Sequence, residues 1–140
     1  MKVQKLKTSV NPFSGISFVN HFFNKSGLTE LIDTELGRRV KTVGYSYSDI
    51  IRNLSNVFLS GGDVVEDINT HFREHLSSIP SNKVPSADTV LRGLKELTTD
   101  NTVYTSSSDI SYNFNINDQL NTLNVKSLLL TKQLKVLAAY

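Results

Sequence analysis

Residues 61–97, GGDVVEDINTHFREHLSSIPSNKVPSADTVLRGLKEL, read as two amphipathic helices joined by a loop that contains Pro and Ser. Val64, Ile68, Phe72 and Leu76 share one face of the first helix, and Ala87, Val90, Leu91, Leu94 and Leu97 share one face of the second. Asp63 and Glu66 have the spacing of a capping box at the first start, and Pro85-Ser86 opens the second with Ser86 as the N-cap. Two helices with a breaker between them suit a helix-turn-helix variant, with a connection longer than the usual turn of about 3–4 residues.

Working toward the N-terminus, helix signals continue. Ile50, Ile51, Leu54, Val57 and Phe58 give a buried face to a helix that starts at Ser46 with Asp49 and stops at Gly61-Gly62. Leu28, Leu31, Ile32 and Leu36 form a shorter helix ended by Gly37, and Phe18, Val19, Phe22 and Phe23 an apolar stripe on one stopped by Gly27. Ahead of these, Met1–Pro12 reads as extended, with an alternation that suits a short strand pairing with Lys41–Val43.

Toward the C-terminus the character changes. Thr98–Asn115, TTDNTVYTSSSDISYNFN, is rich in Thr, Ser, Asn and Asp, has no helical period and reads as a polar linker. Asn115 or Asn117 then caps a last long helix in which Ile116, Leu120, Leu123, Ser127, Leu130, Leu134 and Leu137 follow a 4-3 spacing. The expected fold is all-α: a small helical bundle with a helix-turn-helix-like pair over 1–97, a linker over 98–115, and a long helix over 116–140. Its apolar face over 116–137 is expected to give weak self-association if no partner covers it.

A chain of 140 residues fits one domain and buries a real core. It has no cysteine, which excludes disulfides, thiolate zinc sites and Cys nucleophiles. No apolar run approaches the ~18 residues of a membrane span, and the N-terminus lacks the apolar core of a signal peptide. The net charge is only +2, but the cations cluster. Lys2, Lys5, Lys7 and Lys25 precede the first acidic residue, Arg38, Arg39 and Lys41 stand together, and Lys126, Lys132 and Lys135 lie in an acid-free C-terminal stretch. Such clusters suit phosphate contacts or a solvated surface equally.

Few constellations carry chemistry. His71-Phe72-Arg73-Glu74-His75 matches H-x-x-E-H, but no third zinc ligand is evident, and two partly exposed histidines on an amphipathic helix are the expectation, with no metal. Asp63, Glu66 and Asp67 read as helix N-terminal charge. On the 86–97 helix the apolar positions leave Ser86, Asp88, Thr89, Arg92 and Lys95 facing outward, which suits either a recognition helix or an ordinary solvated face. Gly93 in its interior weakens the helix or marks a close approach. Tyr45 and Tyr47 near Arg38, Arg39 and Lys41 suit a stacking surface or the core.

The order Gly61-Gly62-Asp63, Glu66-Asp67, Arg73, then Pro85-Ser86, Thr89 and Arg92 resembles the N-terminal region of bacterial insertion-sequence transposases of the DDE class. Asn115–Leu134 is similar to the stretch before their catalytic domain. The resemblance implies a DNA-binding portion that recognises transposon ends as double-stranded DNA, with Ser86, Thr89, Arg92, Lys95, Arg38, Arg39 and Lys41 as candidate contacts. It implies a bacterial cytoplasmic, nucleoid-associated location and no membrane. Catalysis in that family needs carboxylates around two metal ions. No acidic residue here follows a buried β-branched run, so no catalytic residue is assigned. The chain is expected to end near where the catalytic domain would begin, to be inactive alone, and to need no cofactor; Mg²⁺ is implied for the full transposase. The alternative expectation is a helical interaction or dimerisation module without DNA binding.

Overall fold

The computed structural model describes residues 12–39, 44–114 and 117–133. The strand pairing expected between the N-terminal segment and Lys41–Val43 lies outside these residues, as does the end of the expected last helix. The described chain is mostly helical: α1 (Ser14–Lys25), α2 (Leu28–Leu36), α3 (Tyr47–Leu59), a π-helical turn (Ile68–Phe72) running into α4 (Arg73–Ser77), α5 (Ala87–Glu96), strands β1 (Thr102–Thr105) and β2 (Ser111–Phe114), and α6 (Asp118–Leu130).

Helix α3 is the centre, packed against α1, α2 and α5. Its start is fixed by a capping box: Ser46 Oγ accepts from the Asp49 amide, and the Asp49 carboxylate accepts from the Ser46 amide. Its end is a Schellman turn in which the Gly62 amide reaches the Val57 carbonyl and the Gly61 amide the Phe58 carbonyl, with Gly61 at φ 87°. A helix covered on several sides has no single solvent face. Ile50 and Val57 are buried as expected, whereas Phe58 is 54% exposed and the polar Ser48, Asp49, Arg52, Asn53 and Asn56 are buried instead.

Those polar groups bridge to the neighbouring elements, as burial demands. Asn20 on α1 and Asn56 exchange amide hydrogen bonds, Nδ2 to Oδ1 at 3.1 and 3.3 Å. Arg52 donates to Asn24 on α1 and to Asp49. Asp33 on α2 accepts from the backbone and hydroxyl of Ser48. Asn53 donates to the Lys83 carbonyl and accepts from Asn82. Around this frame one apolar cluster joins Ile16, Ile50, Val57, Ile68, Phe72, Leu76, Ile79, Val84 and Val90, and a second joins Ile32, Leu36, Tyr47, Leu97 and Leu123.

The first helix of the expected pair differs from its sequence reading. Asp63 does not cap it; Asp67 Oδ2 accepts from the Asp63 and Val64 amides instead, and Val64 stays 51% exposed. Ile68, Phe72 and Leu76 are buried in steps of four. Such a period drifts around an ideal helix of 3.6 residues per turn, and the wider π turn over 68–72 realigns it. In the second helix Ser86 is the N-cap, as expected, but Leu91 is 43% exposed rather than buried.

The expected linker contains an antiparallel hairpin, with Val103 opposite Asn113 and Tyr104 opposite Tyr112. Its short strands, TVYT and SYNF, are built of β-branched, aromatic and small polar residues that carry no helical period but suit a pleated ladder. The Asp109 amide reaches the Ser106 carbonyl and the Ser106 amide the Ile110 carbonyl, with Asp109 at φ 56°: a type I turn closed by a bulge residue in the left-handed region.

The last helix is capped by Asn117, whose side chain accepts from the Leu120 amide. It ends earlier than the apolar spacing implied. The Gln133 amide bonds the Leu128 carbonyl, the Lys132 amide the Leu129 carbonyl, and Lys132 takes φ 60°, a Schellman stop after Leu130. Helix α6 folds back on α2: Leu123 joins the second cluster and Lys126 Nζ meets Glu35 Oε1. Part of the face expected to drive self-association is therefore used within the chain, while Leu120, Val125, Leu129 and Leu130 keep at least 36% exposure.

Candidate nucleic-acid interface

Helix α5 is held by contacts from distant segments. Ser86 Oγ accepts from the Thr89 amide at 3.3 Å and lies 2.9 Å from Thr89 Oγ1. Asn69 Oδ1 takes hydrogen bonds from Arg73 Nη2 and from the Ala87 amide, and Arg73 also donates to the Pro85 carbonyl. These bonds tie the π turn and α4 to the start of α5, so the two halves of the expected pair are joined through side chains. Midway, Gly93 packs on α3: a Cβ there would stand 2.3 Å from Ile50 Cδ1.

The C-terminal end is clasped by Arg39. Its Nε donates to Glu96 Oε2 at 2.8 Å and its Nη2 to Glu96 Oε1 at 2.9 Å, the two-pronged arrangement that guanidinium and carboxylate geometry favour. The Arg39 guanidinium stands 5.8 Å from the Tyr47 ring centroid, and the Tyr47 hydroxyl approaches Glu96. The hydrogen bond from Arg39 holds the Glu96 carboxyl below its ordinary range, against partial desolvation and with help from the charges of Arg39 and Arg92. Burial, then the Glu96 charge, pushes the Tyr47 hydroxyl up. The bond to Glu96 raises Arg39, keeping it charged.

This geometry sorts the candidate contacts. Arg92 and Lys95 are exposed on α5, with Asp88 and Leu91 also outward. Arg38 is exposed beside the clasp and, with Lys83, lines a cleft of about 430 Å³. Arg39 does not join them: its side chain is 4% exposed and both prongs are occupied. Ser86 and Thr89 are half-buried and bonded to each other, so neither hydroxyl is presented outward. Lys41 lies outside the described residues. Lys83 was missed in the sequence, where nothing separates it from any other loop lysine. Glu96 was missed as a clasp because its partner is 57 residues away.

The histidine pair is not a shared open face. His71 is exposed, whereas His75 is half-buried with its ring 5.2 Å from that of Phe13. Among the described residues no three His, Asp or Glu side chains are grouped to hold a metal ion, and no helix is long and apolar enough to cross a membrane. No protein-family model matches the chain, and searches of curated proteins and of solved structures gave no match.

Proposed function

We propose that this chain is a DNA-binding helical module, the N-terminal portion of a DDE-type transposase that recognises transposon ends, working in the bacterial cytoplasm at the nucleoid. The observation that carries the reading is the charge balance around α5. Glu96, the acidic residue nearest Arg92 and Lys95, is already paired with Arg39. Arg92 and Lys95 are exposed on α5, with Asp88 also outward, and Arg38 is exposed beside the clasp. Exposed Arg and Lys neutralise phosphates and release counterions, and an Arg on an outward helix face reaches guanine edges in a major groove.

Ser86 and Thr89 are not needed for this; their role is the helix cap. Strand cutting and joining, with the Mg²⁺ they require, belong to a catalytic domain that these residues do not supply. Selection from a random duplex pool tests the reading: enrichment of one sequence by the folded chain supports it, and an unenriched pool opposes it.

A second reading, an interaction module without DNA affinity, draws on Phe18 and Phe22. They stand one turn apart on α1, 78% and 54% exposed. Purified chain that self-associates yet leaves duplex DNA unbound at low salt would favour it.

A further inference from the structure

Arg38 and Lys83 come from separate segments to line one cleft, beside the end of α2 and the start of α3. Both are exposed, and among the described residues neither is in an ion pair. The backbone at each is pinned. Arg38 adjoins the clasped Arg39. The Lys83 carbonyl accepts from Asn53 Nδ2 at 2.8 Å, and the next carbonyl, that of Val84, accepts from the Tyr45 hydroxyl at 3.2 Å.

The other charged groups of the cleft are already engaged. Asp49 pairs with Arg52, Arg39 pairs with Glu96, and both Asp33 oxygens accept from Ser48. The first amides of α3 are taken as well, those of Ser46 and Asp49 by the capping box and that of Ser48 by Asp33. Any anion in the cleft is therefore held by side-chain cations rather than by the helix start. With the ion pairs set aside, Arg38 and Lys83 outweigh Asp33 by one positive charge. One phosphodiester, with its single negative charge, balances that excess. Among the described residues no aliphatic side chain lines the cleft, so it lacks the apolar anchor of a lipid-binding surface.

Resting on the DNA-binding reading, we propose that this cleft seats one backbone phosphate of the bound duplex between Arg38 and Lys83 and so sets the register of α5 on the DNA. Arg92 lies one turn before Glu96 on α5, so the Arg39–Glu96 clasp joins the cleft to the outward cations of that helix. Phosphate contacts position a protein on the duplex, and base contacts specify the sequence.

The probe is the duplex enriched from the random pool. Each phosphate contact releases about 0.9 counterion, so Arg38→Gln and Lys83→Gln should each weaken binding roughly tenfold near 0.1 M salt, a loss that fades toward about 1 M. Lys25→Gln, which removes an exposed lysine on α1 that does not line the cleft, should cost far less. Duplexes with one linkage at a time replaced by an uncharged methylphosphonate then locate the contact. One linkage should cost the wild type more affinity than it costs either variant, and it should be the same linkage for both. Circular dichroism confirms that each variant keeps the helical fold. Losses no larger than that of Lys25→Gln, or variants that map to different linkages or to none, would overturn the proposal and leave the α5 reading standing if Arg92→Ala still weakens binding. Folded wild-type chain that binds no duplex would overturn both.

Discussion

Arg39 and Glu96 join the segment after α2 to the last turn of α5 through a two-pronged contact at 2.8 and 2.9 Å, across 57 residues of sequence. The pair sits at the edge of the core, with the Arg39 side chain 4% and the Glu96 side chain 29% exposed. Breaking it leaves a buried guanidinium without its carboxylate. Glu96→Gln should therefore lower thermal stability more than Lys95→Ala, its exposed neighbour, does; equal melting temperatures would show that the clasp contributes nothing.

The same pair sets a pH dependence. Glu96 titrates lower in the folded chain than in the unfolded one because Arg39 hydrogen-bonds its ionised form. Its contribution is present above the ordinary glutamate range and is lost as pH falls through the depressed folded value. The stability gap between wild type and Glu96→Gln should be full near neutrality and close in acid. Denaturant midpoints measured across that range check the sign; a gap that widens on acidification would contradict it.

Asn20 and Asn56 make a reciprocal amide pair inside the bundle, 2% and 1% exposed. Replacing Asn20 alone with Leu strands a buried amide and should destabilise by about 1–3 kcal/mol. Replacing both with Leu should recover much of that loss, since removing both partners of a buried bond is far less harmful than removing one. Urea unfolding of the single and double variants measures the coupling; simple additivity would argue against the pair.

Gly93→Ala sets two effects against each other. Helix propensity favours Ala by about 1 kcal/mol. The added Cβ would stand 2.3 Å from Ile50 Cδ1, and Ile50 is fully buried and cannot swing into solvent. Overpacking of this kind costs about 1–3 kcal/mol, so net destabilisation is expected. Ile50→Val should partly rescue it. A stabilised Gly93→Ala would mean that α3 and α5 are less closely packed.

The helices were legible because their signals are local: the Ser46 and Ser86 caps, the Gly61 stop and the apolar spacing of Ile50 with Val57 or of Val90 with Leu97 sit within a turn or two of each other. What stayed hidden depends on distant neighbours. Nothing in the sequence says that Asn53 and Asn56 lie in the core, since that follows from α1 and the 82–83 loop closing over α3. The hairpin was masked by its polar composition, and its turn uses Asp109 where glycine would have announced it. Of the candidate residues, the outward placement of Arg92 and Lys95 followed from helix geometry, whereas Arg39 is held by Glu96, a partner visible only in three dimensions.

The most direct test of DNA binding through α5 is a salt titration of duplex affinity by fluorescence anisotropy, comparing wild type with Arg92→Ala and Lys95→Ala. Wild-type affinity should fall steeply as salt rises. Lys95→Ala should flatten that slope by about one contact, and Arg92→Ala should weaken binding by about 1–3 kcal/mol with loss of sequence preference. Folded wild-type chain that leaves duplex DNA unbound at low salt, or binding unchanged in both variants, would contradict a nucleic-acid role for this surface.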